Sequence, residues 1–300
     1  MRSIPMPSRR LLIGAVTLGA LVAGSLTGCA NGPRIETRPV VSERGVDKST
    51  DLRIAETALE SGDTQLAASL FEKALKADPN SLRAELGFAD AIYQAGDLAR
   101  AGVLYAHVAA TAPDDPRAQL GLARVALRER RLDDAVARYR RLVDAYPDNA
   151  VAAEGLGAAL DLQGNHGQAQ AVYRAALARH PEAQGLKTNL GLSLILDRHA
   201  REGANVLLDV AGLPDAPPQA RENLALAYGV LGNGEAAKRI LTADMPAVSA
   251  EDNLLFYRNL RARWSNQGAS SDASGRVGSG GAVHAQSVPS AHISPQGTLE

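Results

Sequence analysis

The sequence predicts an all-α protein: a right-handed superhelical solenoid of about six helix-turn-helix repeats, closed by a C-terminal capping helix. Three observations predict this fold. Four prolines, Pro79, Pro113, Pro147 and Pro181, lie 34 residues apart. Alanine or glycine recurs at two fixed distances before these prolines, and an aromatic residue recurs at a third. A fixed period of this length indicates a repeat architecture, in which neighbouring units bury one continuous core.

Repeat positions are counted from residues 48, 82, 116, 150, 184 and 218, which places proline at position 32 of the first four units. Ala or Gly occupies positions 8 and 20 in all six units. Small residues there let two helices approach closely. Position 24 is filled by Phe71, Tyr105, Tyr139, Tyr173, Leu207 and Leu241. We expect these large side chains to pack between neighbouring units.

A period of 34 residues is that of the tetratricopeptide repeat, and the pattern resembles this family. Glycine at position 15 of four units lets the chain turn between the two helices of a unit. Proline at position 32 ends the second helix. The sequence predicts six repeats over residues 48–81, 82–115, 116–149, 150–183, 184–217 and 218–250.

The segment 251–264, EDNLLFYRNLRARW, predicts the capping helix. Phe256, Leu260 and Trp264 recur at i, i+4 and i+8, so we expect one apolar stripe facing the last repeat. Residues 265–300 are rich in Gly and Ser and carry few apolar residues. We therefore expect them to form a disordered tail.

The N-terminal segment is typical of a secretory signal. Arg2, Arg9 and Arg10 precede an apolar run from Leu11 to Ala23, about 13 residues long. A membrane-spanning helix needs about 20 residues. We therefore expect residues 1–28 to be removed.

The end of this segment, Leu26-Thr27-Gly28-Cys29, resembles the bacterial lipobox, and it contains the single cysteine. The resemblance implies cleavage before Cys29 by the lipoprotein signal peptidase, and acyl chains on that residue. Two or more chains anchor a protein stably. Ala30 follows the cysteine rather than the Asp of many inner-membrane lipoproteins, which implies the outer membrane, on its periplasmic face. Residues 29–47 would then be a tether.

Composition and motifs exclude several classes of function. Without residues 1–28, which carry three of the 32 Lys and Arg, 29 bases face 33 acids, a net charge of about −4 that argues against a nucleic-acid partner. The six histidines lack metal-site spacing, and no nucleophile or phosphate-loop motif occurs. We therefore expect no catalytic residues, metal, cofactor or small-molecule substrate, and no enzymatic activity.

In tetratricopeptide proteins the first helix of each unit lines a concave groove, which positions 2, 5, 9, 12 and 13 commonly face. The resemblance implies that the third unit presents three arginines and two leucines there, a combination that suits a partner segment bearing carboxylates. Alternatively, the arginines form a solvated face of little energetic value. The predicted partner-binding residues are Arg83, Asp90, Tyr93, Arg117, Leu120, Arg124, Leu127 and Arg128.

The C-terminal part of the chain resembles a particular group of repeat lipoproteins. The stretches NLGLSLILDRHAREGANVLLDV (189–210), ARENLALAYGVLGNGEAAKRIL (220–241) and EDNLLFYRNLRA (251–262) are similar to TadD-type proteins of the tight-adherence (Flp) pilus system. This resemblance implies a pilotin-like lipoprotein that helps the pilus secretin assemble or remain stable, with the secretin as its protein partner.

Two other interpretations remain open. In the first, the chain is a tetratricopeptide adaptor for another envelope machine, such as a type IV pilus or the outer-membrane protein assembly machinery. Alternatively, it regulates a peptidoglycan enzyme. Repeats and cap together occupy most of the mature chain, which leaves no room for a catalytic domain.

Overall fold

The computed structural model describes residues 48–274 and the side chains of residues 50–267. This part of the chain forms thirteen α-helices and no strand. The helices are α1 (Lys48–Glu60), α2 (Thr64–Ala77), α3 (Leu82–Gln94), α4 (Leu98–Thr111), α5 (Pro116–Arg128), α6 (Leu132–Ala145), α7 (Ala150–Leu162), α8 (His166–Leu177), α9 (Gln184–Leu196), α10 (Ala200–Ala211), α11 (Pro218–Leu231), α12 (Gly234–Asp244) and α13 (Ala247–Ser274).

Several predictions fall on residues that the structure does not describe. They are the signal segment 1–28 with the lipobox residues Leu26, Thr27 and Gly28, the lipidation site Cys29, the tether up to residue 47, and residues 275–300 of the predicted tail. These stay predictions.

Helices α1 to α12 form six pairs, and each pair packs against the next. The first helices of the pairs begin at residues 48, 82, 116, 150, 184 and 218, the starts of the counted units. Polar residues fix several of these starts. Ser81 and Asn149 cap α3 and α7, and Asp63 and Asp97 cap α2 and α4, each by accepting a hydrogen bond from a backbone N–H three residues later. The all-α solenoid of helix pairs predicted from the sequence is confirmed.

The core lies between the two helices of each unit and between neighbouring units. The Ala and Gly residues at positions 8 and 20 are buried in every unit, and so are the large side chains at position 24. Ala135 and Ala169 are completely buried, and Tyr139 and Tyr173 are 2% and 1% exposed. The small residues therefore lie where the helices approach, and the large ones fill the space between units.

The turn inside each unit contains a residue with a left-handed backbone at position 15. Glycine meets this requirement in four units, whereas arginine occupies the position in units three and five. The six residues are Gly62, Gly96, Arg130, Gly164, Arg198 and Gly232.

The last helix differs from its predicted form in two ways. It runs from Ala247 to Ser274, so it begins before residue 251 and continues into the predicted disordered tail. Pro246 precedes it and no proline interrupts it, which lets the helix extend in both directions. In addition, Phe256 is 43% exposed, and its neighbour Tyr257 is the buried residue. The prediction that Phe256 faces inward was wrong.

The face of α13 that covers the solenoid follows a spacing of three and four residues. Tyr257, Leu260 and Trp264 pack against the last repeats. Residues spaced by three and by four both lie on one side of a helix, so the sequence allows either Phe256 or Tyr257 to face the solenoid with Leu260. In the observed orientation Tyr257 packs directly against Gly229. A Cβ at residue 229 would lie 2.5 Å from the tyrosine ring, so a larger residue there would block this contact.

Candidate protein-binding groove

The concave side of the solenoid is formed by the first helices of the units. Helices α1, α3, α5, α7, α9 and α11 each contact the next member of this series. By contrast, no second helix contacts another second helix among residues 48–274. The first helices therefore form the inner side of the curve. Their residues at positions 2, 5, 9, 12 and 13 form the surface that we call the groove.

Arg83, one of the predicted binding residues, joins the first two units. Its Nε and Nη2 atoms donate to Oε1 and Oε2 of Glu56 at 2.8 and 2.6 Å. This paired geometry is the strong form of an arginine–carboxylate contact. Both side chains are substantially exposed. The guanidinium of Arg83 is therefore already engaged across the edge of the groove.

Arg128 and Tyr93 form a second contact between units. Nη1 of Arg128 donates to the backbone oxygen of Tyr93 at 2.9 Å. The guanidinium carbon also lies 4.9 Å from the centroid of the Tyr93 ring. A cation over an aromatic face adds to the hydrogen bond. Arg128 thus joins α5 to α3, and its donors are directed at the protein itself.

Asp90 lies half-buried in the second unit and accepts a hydrogen bond from the hydroxyl of Tyr105 at 2.6 Å. Burial raises the pKa of the Asp90 carboxyl, and the Tyr105 hydrogen bond and the charges of Arg124 and Arg117 oppose that rise. The same burial, together with the charge of Asp90, raises the pKa of Tyr105. In this pair Tyr105 is the donor and the carboxyl group of Asp90 is the acceptor.

Arg117 lies at the exposed end of the third unit. Its side chain is 66% exposed, and Nη2 donates to Oδ2 of Asp115 at 2.6 Å. Asp115 also caps α5, on which Arg117 lies. This local ion pair leaves Arg117 on the surface. Arg117 therefore fits the alternative interpretation, in which the arginines form a solvated face.

Arg124 is the predicted arginine that has no partner. It lies at position 9 of α5 and is half-buried. Among the side chains of residues 50–267 it takes part in no hydrogen bond and no ion pair. Leu120 and Leu127, from the same helix, are partly buried against the central core. The structure therefore places one unpaired cation beside two leucines in the middle of the groove.

The fourth unit contributes two carboxylates that the sequence analysis missed, Glu154 and Asp161. Asn189 donates to Oε1 of Glu154 at 2.9 Å. Ser193 donates to Oδ1 of Asp161 at 2.6 Å, and Tyr173 donates to Oδ2 at 3.1 Å. Glu154 and Asp161 occupy positions 5 and 12, so the repeat register alone could have found them.

The contacts of Asp161 include a serine and a histidine but do not form a catalytic triad. Nδ1 of His166 lies 2.8 Å from Oδ1 of Asp161, the atom that also accepts from Ser193. In a triad the nucleophile is bonded to the base, and the carboxylate lies beyond it. Here both side chains are bonded to the carboxylate. Burial raises the pKa of Asp161, and the hydrogen bonds from Ser193 and His166 oppose that rise.

Two further properties concern only residues 48–274. The described side chains, those of residues 50–267, include no group of three or more His, Cys, Asp or Glu placed to hold a metal ion. None of the helices within residues 48–274 is long and apolar enough to cross a membrane.

The comparisons with known proteins agree with this geometry. A family model described as a tetratricopeptide repeat matches residues 58–125 and 92–160. The match to tetratricopeptide repeats therefore covers residues 58–160, from the first unit to the fourth. Proteins with this repeat serve as scaffolds for protein–protein interaction, and typically have no catalytic role. No curated protein matches the chain.

Two solved tetratricopeptide structures share its fold. One, from Parabacteroides merdae, aligns with a TM-score of 0.58 at 10% identity, over 72% of this chain and 86% of its own. Another, TTC0263 of Thermus thermophilus, aligns with a TM-score of 0.50 at 23% identity, over 61% of this chain and 98% of its own. Identity at this level shows the fold alone.

Proposed function

We propose that this tetratricopeptide protein is an outer-membrane lipoprotein of the Flp pilus system, which holds a segment of the pilus secretin in its groove and so helps the secretin assemble. The LTGC motif supports the membrane anchor, and the similarity of residues 189–262 to TadD-type proteins supports the pilus system. The single structural observation that carries the binding role is Arg124, half-buried in the groove and without a partner.

The three arginines of the third unit contribute differently to this function. Arg128 joins α5 to α3, and Arg117 pairs with Asp115. Replacing all three would therefore disturb the solenoid as well as the groove. Arg124→Gln removes only the unpaired cation, which makes it the more specific variant.

The proposal is tested by membrane fractionation with co-purification. Wild type should sediment with the outer membrane and retain the secretin. Cys29→Ser should lose the membrane association, and secretin multimers should decrease. Arg124→Gln should stay in the membrane but retain less secretin. Arg140→Gln is the matched control, because it removes an exposed arginine from α6, the second helix of the same unit.

Two results would overturn parts of the proposal. Secretin multimers that are unchanged in both Cys29→Ser and Arg124→Gln would reject the secretin as client. An anchored wild type that retains barrel-assembly proteins in place of the secretin would instead identify an adaptor of that machinery.

A further inference from the structure

The hydroxyl groups at position 24 distinguish the third unit from its neighbours. In the second unit Tyr105 donates to Asp90 at 2.6 Å, and in the fourth unit Tyr173 donates to Asp161 at 3.1 Å. Tyr139 occupies the same position in the third unit, yet its hydroxyl forms no hydrogen bond within the described part of the chain. The side chain is 2% exposed, so its ring is fixed in the core.

The missing acceptor has a simple cause in the sequence. Asp90 lies at position 9 and Asp161 at position 12, on the first helix of the same unit as the tyrosine that each one binds. The third unit has Arg124 at position 9 and Leu127 at position 12. A donor and an apolar side chain thus replace the acceptors, and both Arg124 and Tyr139 are left with unused donors.

The Tyr139 hydroxyl remains reachable from solvent. Among the described side chains, the fully buried polar atom that lacks a partner is Nε2 of His180, and the Tyr139 hydroxyl is not such an atom. A buried donor without a partner is costly, whereas one that reaches water can exchange that water for a ligand. The Tyr139 hydroxyl is therefore not sealed from solvent, and its donor has no partner among the described residues.

Two carboxylates near Arg124 are already engaged. Asp90 accepts from Tyr105, and Glu154 accepts from Asn189. Burial raises the pKa of Asp90, Glu154 and Tyr139, and the charge of Arg124 opposes the rise at all three groups. The cation therefore acts on groups of the second, third and fourth units without forming an ion pair to any of them.

We propose that Arg124 and Tyr139 form a binding site for one Asp or Glu side chain in an extended segment of the protein partner. A carboxylate accepts from a guanidinium and from a hydroxyl at once, which satisfies both unused donors. Leu120 and Leu127 would contact apolar residues next to it in the segment. Asp90 and Glu154 disfavour a run of acidic residues, so the site selects a single carboxylate between apolar neighbours.

This inference rests on the proposed binding role of the groove but not on the identity of the client. The test is a peptide selection with purified residues 29–300 carrying Cys29→Ser. In one library the random peptide lies inside a longer displayed chain. In a second library the random peptide forms the free C-terminus of the displayed chain. Wild type should enrich Asp or Glu at one position of the internal library, with apolar residues beside it.

Three variants link that preference to the site. Tyr139→Phe removes the hydroxyl and keeps the ring, and Arg124→Gln removes the cation. Each should weaken binding of a selected peptide about tenfold, the loss expected for a hydrogen bond to a charged group. Tyr173→Phe is the matched control, because its hydroxyl is already bonded to Asp161. It should bind the peptide as wild type does, and its melting temperature should fall.

Several outcomes would overturn the site. One is a selection without acidic enrichment, or without any enriched peptide. A second is enrichment confined to the free C-terminal library, which would assign the site to a terminal carboxylate. A third is a Tyr139→Phe variant that binds the peptide normally. The peptide selection uses no secretin, so it tests the site independently of the client. If the acidic preference is found but the secretin does not co-purify, the proposed client is rejected and the site is retained.

Discussion

The ring of Tyr105 lies directly against Gly121 of the next unit, so closely that a Cβ at residue 121 would lie 2.4 Å from the ring atoms. The same relation joins Phe71 to Gly87 and Tyr139 to Gly155. All three glycines occupy position 6, one unit after the aromatic residue at position 24. A glycine at position 6 thus creates the space that each aromatic ring fills.

We expect Gly121→Ala to destabilise the protein by about 1–3 kcal/mol, because overpacking forces the Tyr105 ring or α5 to move. The free energy of unfolding from urea titration measures the change. Gly102→Ala is the matched control, since a Cβ there would lie 3.6 Å from the nearest side-chain atom, an ordinary contact. That variant should stabilise its helix by about 0.5–1 kcal/mol. Equal effects at the two sites would contradict the packing argument.

Arginine at position 15 gives a second prediction. Arg130 has a backbone φ of 61°, whereas glycine at this position has φ between 79° and 93°. A left-handed residue with a side chain costs about 1–2 kcal/mol, and glycine avoids that cost at some loss of chain entropy. Arg130→Gly should therefore stabilise the protein by about 0.5–1 kcal/mol, measured as a rise in melting temperature.

Arg198 tests the same argument in a different setting. Its backbone φ is 66°, but its guanidinium carbon lies 5.9 Å from the centroid of the Trp264 ring, and it also bonds Gln267. Arg198→Gly loses these contacts to the capping helix, so its gain should be smaller than that of Arg130→Gly. A melting temperature of Arg130→Gly below that of wild type would contradict the argument that arginine is strained at position 15.

The sequence predicts the repeats well because their signals are local. Proline at position 32 and small residues at positions 8 and 20 act within one unit, and the first helices begin where that register begins. The position-6 glycines were not predicted, because their role depends on a ring from the preceding unit. A residue count cannot show that contact.

The contacts of the predicted groove residues could not be predicted, for a related reason. Groove positions identify which side chains face the concave side, but not which of them bind each other. Arg117, Arg124 and Arg128 look alike in sequence, whereas the structure pairs the first with Asp115 and the last with Tyr93. The contact of Arg117 is local, whereas that of Arg128 depends on the arrangement of neighbouring helices, since its acceptor lies on α3.

The aromatic residues at position 24 give a third prediction. Tyr139→Ala should destabilise the protein by about 3–5 kcal/mol, because it leaves a cavity in the central core. Tyr146→Ala provides a control of the same chemistry at a site that is 38% exposed, and it should cost much less. Ala135→Leu, on the same helix, should cost about 1–3 kcal/mol by overpacking. An unchanged urea midpoint for Tyr139→Ala would contradict the repeat register.

The ionisation of Glu154 gives a fourth prediction. Its pKa lies above the ordinary value of 4.5, because burial disfavours the carboxylate more than the Asn189 hydrogen bond and the charge of Arg124 favour it. Between the unfolded and folded pKa values the folded state binds more protons, so the free energy of unfolding falls as the pH rises through this window. Ionised Glu154 therefore lowers stability at neutral pH.

Glu154→Gln should remove this pH dependence, since glutamine keeps the oxygen that accepts from Asn189 but carries no charge. The difference in free energy of unfolding, variant minus wild type, should become more positive as the pH rises above the ordinary pKa of a glutamate. Urea titrations at several pH values measure it. Glu182→Gln, which replaces an exposed carboxylate, is the matched control. A difference that is constant with pH would show that the Asn189 hydrogen bond and the charge of Arg124 fully offset burial at Glu154. A difference that becomes more negative would show that they outweigh it.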